Sequence, residues 1–422
     1  MRFYFFTLLS LICFVAPGFA QREPIFPVGE FWQFPDARTL AMAGGGSISN
    51  TSPAALMMNP AALTRGTHRF NFMLSSTARS LGERRSFPIF NRIDDITQKG
   101  IYAINDNAFF RFQGAARFRT QINNMPAAVA IGVFNELDQD YEYTEQVREN
   151  IFGDAPIAVN RIRYDGALTR YAVGAAVQPT DKLRLGVQLG LLSGDLFRER
   201  TIDFFNDPSQ SEAENTRRNL DNNPFVASFG AIYEVHSHLS LGGYLRLPYS
   251  VDYRVQSTVN GTQSPDAQET IEYPLQITGA LEYRGRQALR ARLNIDITYE
   301  FWSSTNSQIQ SENFPNTNFD DVFIVKTAVE HIFFNRIPFQ AGVQFRTAYQ
   351  DQSTSRTLIS AGTGFMGDHW RIDVAGGFSN LNYTFPDLFD DTRYGGDRSL
   401  SPIDDVEEKF FFGMITLKAD IR

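Results

Sequence analysis

The chain is nearly free of cysteine: 422 residues contain one, Cys13, inside an N-terminal apolar run. Without that run there is neither a disulfide framework nor thiol chemistry. No other uninterrupted apolar stretch reaches the roughly 20 residues that a membrane helix needs, which excludes a helical membrane protein. Basic clusters are missing too. Lys and Arg number 39 against 47 Asp and Glu, a net charge of −8, and an acidic chain of this kind argues against nucleic acid as a partner. Gly44-Gly45-Gly46 lacks the Gly-Lys-Ser/Thr of a phosphate loop, and there is no G-x-S-x-G elbow. Nothing in the sequence points to an enzyme, a cofactor or a resident metal.

The N-terminal run "MRFYFFTLLSLICFVAPGFA" has the parts of an export signal: Arg2, an apolar stretch from Phe3 to Val15, and a small-residue exit at Pro17, Gly18 and Ala20. Cleavage is expected after Ala20, so residues 1–20 form the leader. Ile12 stands before Cys13 where a lipoprotein signal needs a small residue. Losing the leader removes the only cysteine and one arginine, leaving the chain one charge more acidic. Export of such a chain fits a bacterial envelope protein.

The rest of the chain alternates with period two, the signature of two-faced β-strands. In "LSLGGYLRLPYSVDYRV" (Leu239–Val255) Leu239, Leu241, Gly243, Leu245, Leu247, Tyr249, Val251, Tyr253 and Val255 share one face. In "ALRARLNIDITYEF" (Ala288–Phe301) Leu289, Leu293, Ile295 and Ile297 oppose Arg290, Arg292, Asp296 and Glu300. Twelve further strands are expected over His68–Ala78, Phe109–Thr120, Pro126–Thr144, Arg161–Gln178, Lys182–Asp203, Pro224–Val235, Thr270–Tyr283, Asp320–His331, Ile337–Gln350, Arg356–Met366, Trp370–Thr384 and Glu407–Ile421.

The connections alternate in length. Turn-sized linkers such as "QINNM", "PTD" and "FFNR" interleave with long polar ones such as Arg79–Ala108, Glu145–Asn160 and Phe385–Val406, with one short outer link at Asp351–Ser355. Even strand number, short turns on one side and long loops on the other describe a transmembrane β-barrel. Burying one large aliphatic side chain is worth about 1.5–3 kcal/mol. Eight or nine such residues per strand cannot face water; lipid can cover them, and closure removes unpaired edges. A soluble β-sandwich would also alternate, but with strands of ~5–6 residues and no turn asymmetry. The expected fold is therefore all-β: a 14-stranded antiparallel transmembrane barrel over residues 67–422, with strands projecting past the membrane. Residues 21–66, irregular and with one short helix around Ala37–Ala43, are expected to plug its lumen.

"TLAMAGGGSISNTSPAALMMNPAALTRG" resembles the N-terminal hatch of the FadL/TodX family, outer-membrane transporters of long-chain fatty acids and other hydrophobic compounds. The matching residues are Gly44, Gly45 and Gly46, then Asn59-Pro60-Ala61 ahead of the first strand. "PAAVAIGVF" (Pro126–Phe134), "PLQITGALEYR" (Pro274–Arg284) and "IPFQAGVQFR" (Ile337–Arg346) are similar to family strands. The resemblance implies passive, hatch-gated uptake of a hydrophobic small molecule, which leaves sideways into outer-membrane lipid at an inward kink of strand three. Gly132, Phe134 and Asn135 are the residues expected at that exit. The sequence departs from the family there: "NELDQDYEYT" (Asn135–Thr144) carries Glu136, Asp138 and Asp140. An earlier kink near Gly132, a more polar cargo, or a lost transport function would each account for it. The N-terminal stretch also resembles PorV/PorQ-type barrels of type IX secretion, which implies a secretion partner instead.

Other polar groups have plainer readings. His236 and His238 sit two apart but in an expected turn without a third ligand. The acidic stretch Phe385–Glu408 has no EF-hand spacing and reads as a solvated loop, with a cation site as the alternative. Arg290, Arg292, Asp296 and Glu300 are expected in the lumen, as salt-bridged wall, hatch contacts or contacts to a cargo carboxylate.

Overall fold

The computed structural model describes residues 28–32, 34–90, 96–148, 155–285, 291–309, 318–350, 355–395 and 403–421. The export signal and its cleavage site lie outside them. In chain order the strands are β1 (Glu30–Phe31), β2 (Phe70–Phe90), β3 (Ile96–Ile122), β4 (Met125–Asp138), β5 (Tyr141–Arg148), β6 (Pro156–Val177) and β7 (Leu183–Ser193). Then come β8 (Asp195–Phe204), β9 (Glu212–Leu220), β10 (Phe225–His236), β11 (Leu239–Arg246), β12 (Tyr249–Val259), β13 (Thr262–Gln263) and β14 (Ala267–Tyr273). The last seven are β15 (Gln276–Arg284), β16 (Ala291–Glu300), β17 (Val322–Phe333), β18 (Ile337–Arg346), β19 (Arg356–Met366), β20 (Trp370–Pro386) and β21 (Ile403–Ile421).

Fourteen of these form one antiparallel ring, β2-β3-β4-β6-β7-β10-β11-β15-β16-β17-β18-β19-β20-β21. It closes where β21 pairs with β2, from Phe70 opposite Ile421 to Ser86 opposite Asp405. A second layer of pairing, β5-β6-β8-β9-β12-β14, carries the wall beyond the ring on the long-loop side. Much of what reads as loop in the sequence, including most of Arg79–Ala108, is therefore strand. Short turns cluster at the other end, where Asn123, Asn124, Phe334 and Asn335 take positive φ, as tight hairpins require.

Outward residues of the ring are apolar: Phe72, Leu74, Phe112, Ile131, Tyr171, Leu189, Phe229 and Ile415 are all exposed. Inward positions are polar and buried, among them Arg117, Arg170, Gln188, Asp296 and Glu330. This greasy outside and charged inside is the reverse of a soluble domain and matches a wall in lipid. None of the described helices is long and apolar enough to cross a membrane.

The strand Leu239–Val255 shows where lipid stops. Leu241 and Leu247 are exposed, but Tyr249, Val251, Tyr253 and Val255 are buried. Consecutive exposed residues Leu247 and Pro248, between β11 and β12, reverse the parity. Proline has no N–H for a ladder, so it suits such a break. The expectation that Leu239–Val255 is one strand with a single apolar face is corrected. Its lower half meets lipid, and its upper half packs inside the projecting wall in an aromatic core with Ile271, Tyr273 and Trp302.

Candidate functional site

The N-terminal segment fills the lumen. Helix α1 (Ala37–Ala41) is capped by Asp36, which accepts from Thr39 N at 2.8 Å; such a cap satisfies an otherwise orphan helix donor. Helix α2 (Ala55–Met58) and a 3₁₀ turn (Pro60–Thr64) follow. The hatch is tied by ion pairs to β15, β17 and β21. Asp36 pairs with Lys418 at 2.7 Å, Arg38 with Glu330 at 2.8 Å and Arg65 with Glu282 at 2.6 Å.

Gly44, Gly45 and Gly46 form the turn after α1, with Gly44 at φ +80° and Gly46 at φ +77°. The turn aims backbone N–H groups at the wall. Gly46 N donates to Asp296 Oδ2 at 2.6 Å and Ser47 N to Asp296 Oδ1 at 3.2 Å, with Ser47 Oγ donating to the same carboxylate. Asn59 is fully buried. Its Oδ1 accepts from Ala61 N at 3.0 Å and its Nδ2 donates to Gly243 O at 3.0 Å, so one side chain caps the turn and ties it to β11. Pro60 and Ala61 press so close to the wall that a Cβ on Gly186 would lie 2.3 Å from Pro60 C and 2.4 Å from Ala61 N. The sequence hides this fit, because a glycine in a strand does not announce what approaches it.

Strand three is interrupted. The ladder between β3 and β4 ends at Gly114 opposite Val133. Beyond it Phe134, Asn135, Glu136, Leu137, Asp138 and Gln139 are all buried. A wall strand exposes alternate residues, so six buried in succession means that the chain has left the wall for the interior. Gly132 is still in the ladder, opposite Ala115, and the departure begins at Phe134. A register shift against β6 falls between Asn135 and Leu137, and the strand resumes as β5 at Tyr141. The edge freed by the bend takes a new partner: Glu30 and Phe31 of β1 pair with Asp138 and Leu137, and Trp32 N donates to Glu136 O at 2.8 Å. A buried backbone group without a partner is costly, which is why the N-terminal strap belongs here. Tyr273 and Tyr349 hold that strap by donating to the carbonyls of Val28 and Gly29, each at 2.8 Å.

The acidic residues of the kink are paired. Glu136 meets Arg170, accepts from Tyr249 Oη at 3.0 Å and lies 3.5 Å from Arg246. Asp138 lies 3.5 Å from both Arg79 and Arg111. Between hatch, strap and kink is a cavity of about 70 Å³ lined by Phe31, Trp32, Met57, Met58, Tyr244, Arg246 and Lys326. Arg246 is 4% exposed, its Nε and Nη2 have no partner, and its guanidinium lies 3.7 Å over the Phe31 ring. Outside, just below the departure point, an open apolar trough of about 820 Å³ is lined by Phe72, Gly114, Ile131, Val133, Tyr171 and Leu191.

The other expected lumen residues are wall or hatch contacts. Asp296 holds the glycine turn. Glu300 accepts from Trp302 Nε1 at 2.9 Å and Arg346 Nη2 at 3.3 Å. Arg292 lies 3.7 Å from Glu282, and Arg290 lies outside the described residues. His238 Nδ1 lies 2.9 Å from Arg284 O in its turn. Among the described residues no three His, Cys, Asp or Glu side chains are grouped to hold a metal. Sequence reasoning missed Phe31, Arg170, Arg246 and Tyr249. The inward parity of Arg170 and Arg246 was available, but their convergence on Glu136 was not.

No protein-family model and no curated protein matches the chain. Solved structures do. A FadL homologue of Pseudomonas aeruginosa superposes with a TM-score of 0.65 at 13% identity, covering 93% of this chain and 100% of that one. The P. putida toluene transporter TodX gives 0.60 at 12%, covering 92% and 99%, and the Ralstonia pickettii toluene transporter TbuX gives 0.57 at 15%, covering 94% and 100%. At such identities the likeness is one of fold: over nearly its whole length this chain is built as the FadL and TodX barrels are.

Proposed function

We propose that this protein carries hydrophobic molecules with a polar end across the bacterial outer membrane by passive diffusion. Cargo enters from the projecting side, lodges between strap, hatch and kink, and leaves sideways between β3 and β4 into lipid. The observation that carries this reading is the end of the ladder at Gly114–Val133, where strand three bends inward and an apolar trough begins outside. The unpartnered N–H groups of Arg246 suit an anionic or strongly polar head, while Phe31, Trp32, Met57 and Met58 suit an apolar body. That TodX and TbuX are toluene transporters supports a hydrophobic small molecule as cargo. The secretion reading gains no support from the comparisons.

The test is uptake of radiolabelled oleate and of toluene by bacterial cells lacking their own transporters. Expression of the wild-type chain is expected to raise uptake of oleate, and Arg246→Met to reduce it about tenfold with less effect on toluene. Uptake of both compounds at the level of empty cells refutes the proposal.

A further inference from the structure

Above Gly114–Val133 the two edges of the strand-three opening are joined by side chains alone. Among the described residues no backbone bond links β3 to β4 or β5 there. From β2, Arg79 Nη2 donates to Asp140 O at 2.6 Å and lies 3.5 Å from Asp138. From β3, Arg111 pairs with Asp140 and lies 3.5 Å from Asp138. Higher on the same seam Asn107 Nδ2 donates to Glu142 O, and Asn105 Oδ1 accepts from Thr144 N at 2.8 Å. Two cations thus stand on one edge and two carboxylates on the other. The carboxylate edge is anchored to β6, where Gly166 N donates to Asp140 Oδ1 at 3.1 Å.

We propose that Arg79, Arg111, Asp138 and Asp140 form an ionic latch that holds the strand-three opening closed. A ladder of backbone bonds parts only by breaking many bonds at once, each unsatisfied group in lipid being costly. A side-chain seam parts by rotamer changes, and only the few backbone groups that side chains hold across it, Asp140 O, Glu142 O and Thr144 N, lose a partner. The four residues are half-buried or buried, with side-chain exposure from 4% for Asp138 to 25% for Arg111. Their attraction is therefore only partly screened by water and salt. The acidic run in this strand thereby supplies the counter-charge to Arg79 and Arg111. The lateral gate is selected by electrostatics, and its rate depends on how firmly the pairs hold.

This inference rests on the sideways exit proposed above, and one experiment separates the two. Asn107→Cys with Glu142→Cys places a thiol on each edge; joined by a short bis-thiosulfonate, they lock the seam without touching the latch. Oleate and toluene are the probes, and heat-modifiable migration checks barrel assembly. The locked seam is expected to stop uptake, and reduction to restore it. Uptake unaffected by the lock overturns the sideways exit and the latch with it. If the lock stops uptake, Asp138→Asn with Asp140→Asn is expected to raise the uptake rate at least threefold. The charge exchange Arg111→Asp with Asp140→Arg is expected to bring it back within twofold of wild type. Uptake in the neutralised variant no faster than wild type overturns the latch and leaves the exit standing. So does a charge exchange that assembles without restoring the rate.

Discussion

Arg38 grips Glu330 with two parallel hydrogen bonds, Nε to Oε1 at 2.9 Å and Nη2 to Oε2 at 2.8 Å, joining the first turn of the hatch to β17. Both side chains are buried. Removing one partner of a buried pair strands the other charge, at a cost of about 3–5 kcal/mol. Glu330→Ala is expected to release α1 while the ring, closed by its own ladders, still forms. Amide exchange of residues 37–41 should rise by at least a hundredfold without change in heat-modifiable migration. Replacing both residues by Met should cost far less, because no charge is left unpaired.

The glycines beneath the hatch allow a sharper test. A Cβ on Gly186 would overlap Pro60 C and Ala61 N, and backbone cannot move aside as a flexible side-chain tip can. Gly186→Ala is expected to push the 3₁₀ turn off the wall. In planar bilayers the variant should pass ions at least several-fold more readily than the wild type. A clash confined to a rearranged β7 would leave conductance unchanged.

Much of this architecture is legible in residue order, and the reason is geometric. A wall with lipid on one side and a polar interior on the other imposes alternation on every strand, so Trp370–Thr384 and Ile337–Gln350 read correctly within a few residues. Turn asymmetry reads as well, because a polar linker such as "GDH" cannot span more than a hairpin. The departures from alternation are harder. Phe134–Gln139 looks like more alternating strand, and only the loss of β3 as partner reveals that both faces are covered. Glu30–Phe31 is too short to signal a strand, and it pairs only because the kink leaves an edge to fill. The parity reversal at Leu247–Pro248 hides for the same cause: core and lipid both accept apolar residues.

Asn59 and Pro60 carry a milder prediction. Losing the Asn59 side chain removes a cap, worth about 1 kcal/mol, and the bond to Gly243 O. Pro60 holds φ at the start of the 3₁₀ turn. Asn59→Ala with Pro60→Ala is expected to leave barrel assembly intact and to lower oleate uptake. Unchanged uptake kinetics would separate this corner of the hatch from gating.

Residues 387–395, after β20, pack on the projecting wall, and their docking is expected to depend on pH. Phe389 is buried against Tyr143, with Arg200 4.5 Å over its ring, and Tyr394 Oη donates to Asn160 Oδ1 at 2.6 Å. Within and beneath this segment, outside the membrane band, three carboxyls are pushed up mainly by burial: Asp387 to about 8, Glu145 to about 7 and Asp404 to about 6. Neighbouring like charge, including Asp391, adds to this, while Asn160 and Tyr143 oppose it at Glu145 and Tyr102 and Arg85 at Asp404. A carboxyl whose pKa is raised in the docked state favours docking when protonated. That contribution is full below the ordinary carboxylate range near 4 and is lost as pH rises through about 6 to 8. Amide exchange over residues 387–394 should therefore be slowest near pH 4 and quicken towards pH 8, after correction for the intrinsic rate. Asp387→Asn removes the group with the highest pKa and should flatten the upper part of that rise. Equal protection of residues 387–394 at pH 5 and pH 8 would mean that the carboxyls ionise without strain and that the aromatic contacts alone hold the segment down.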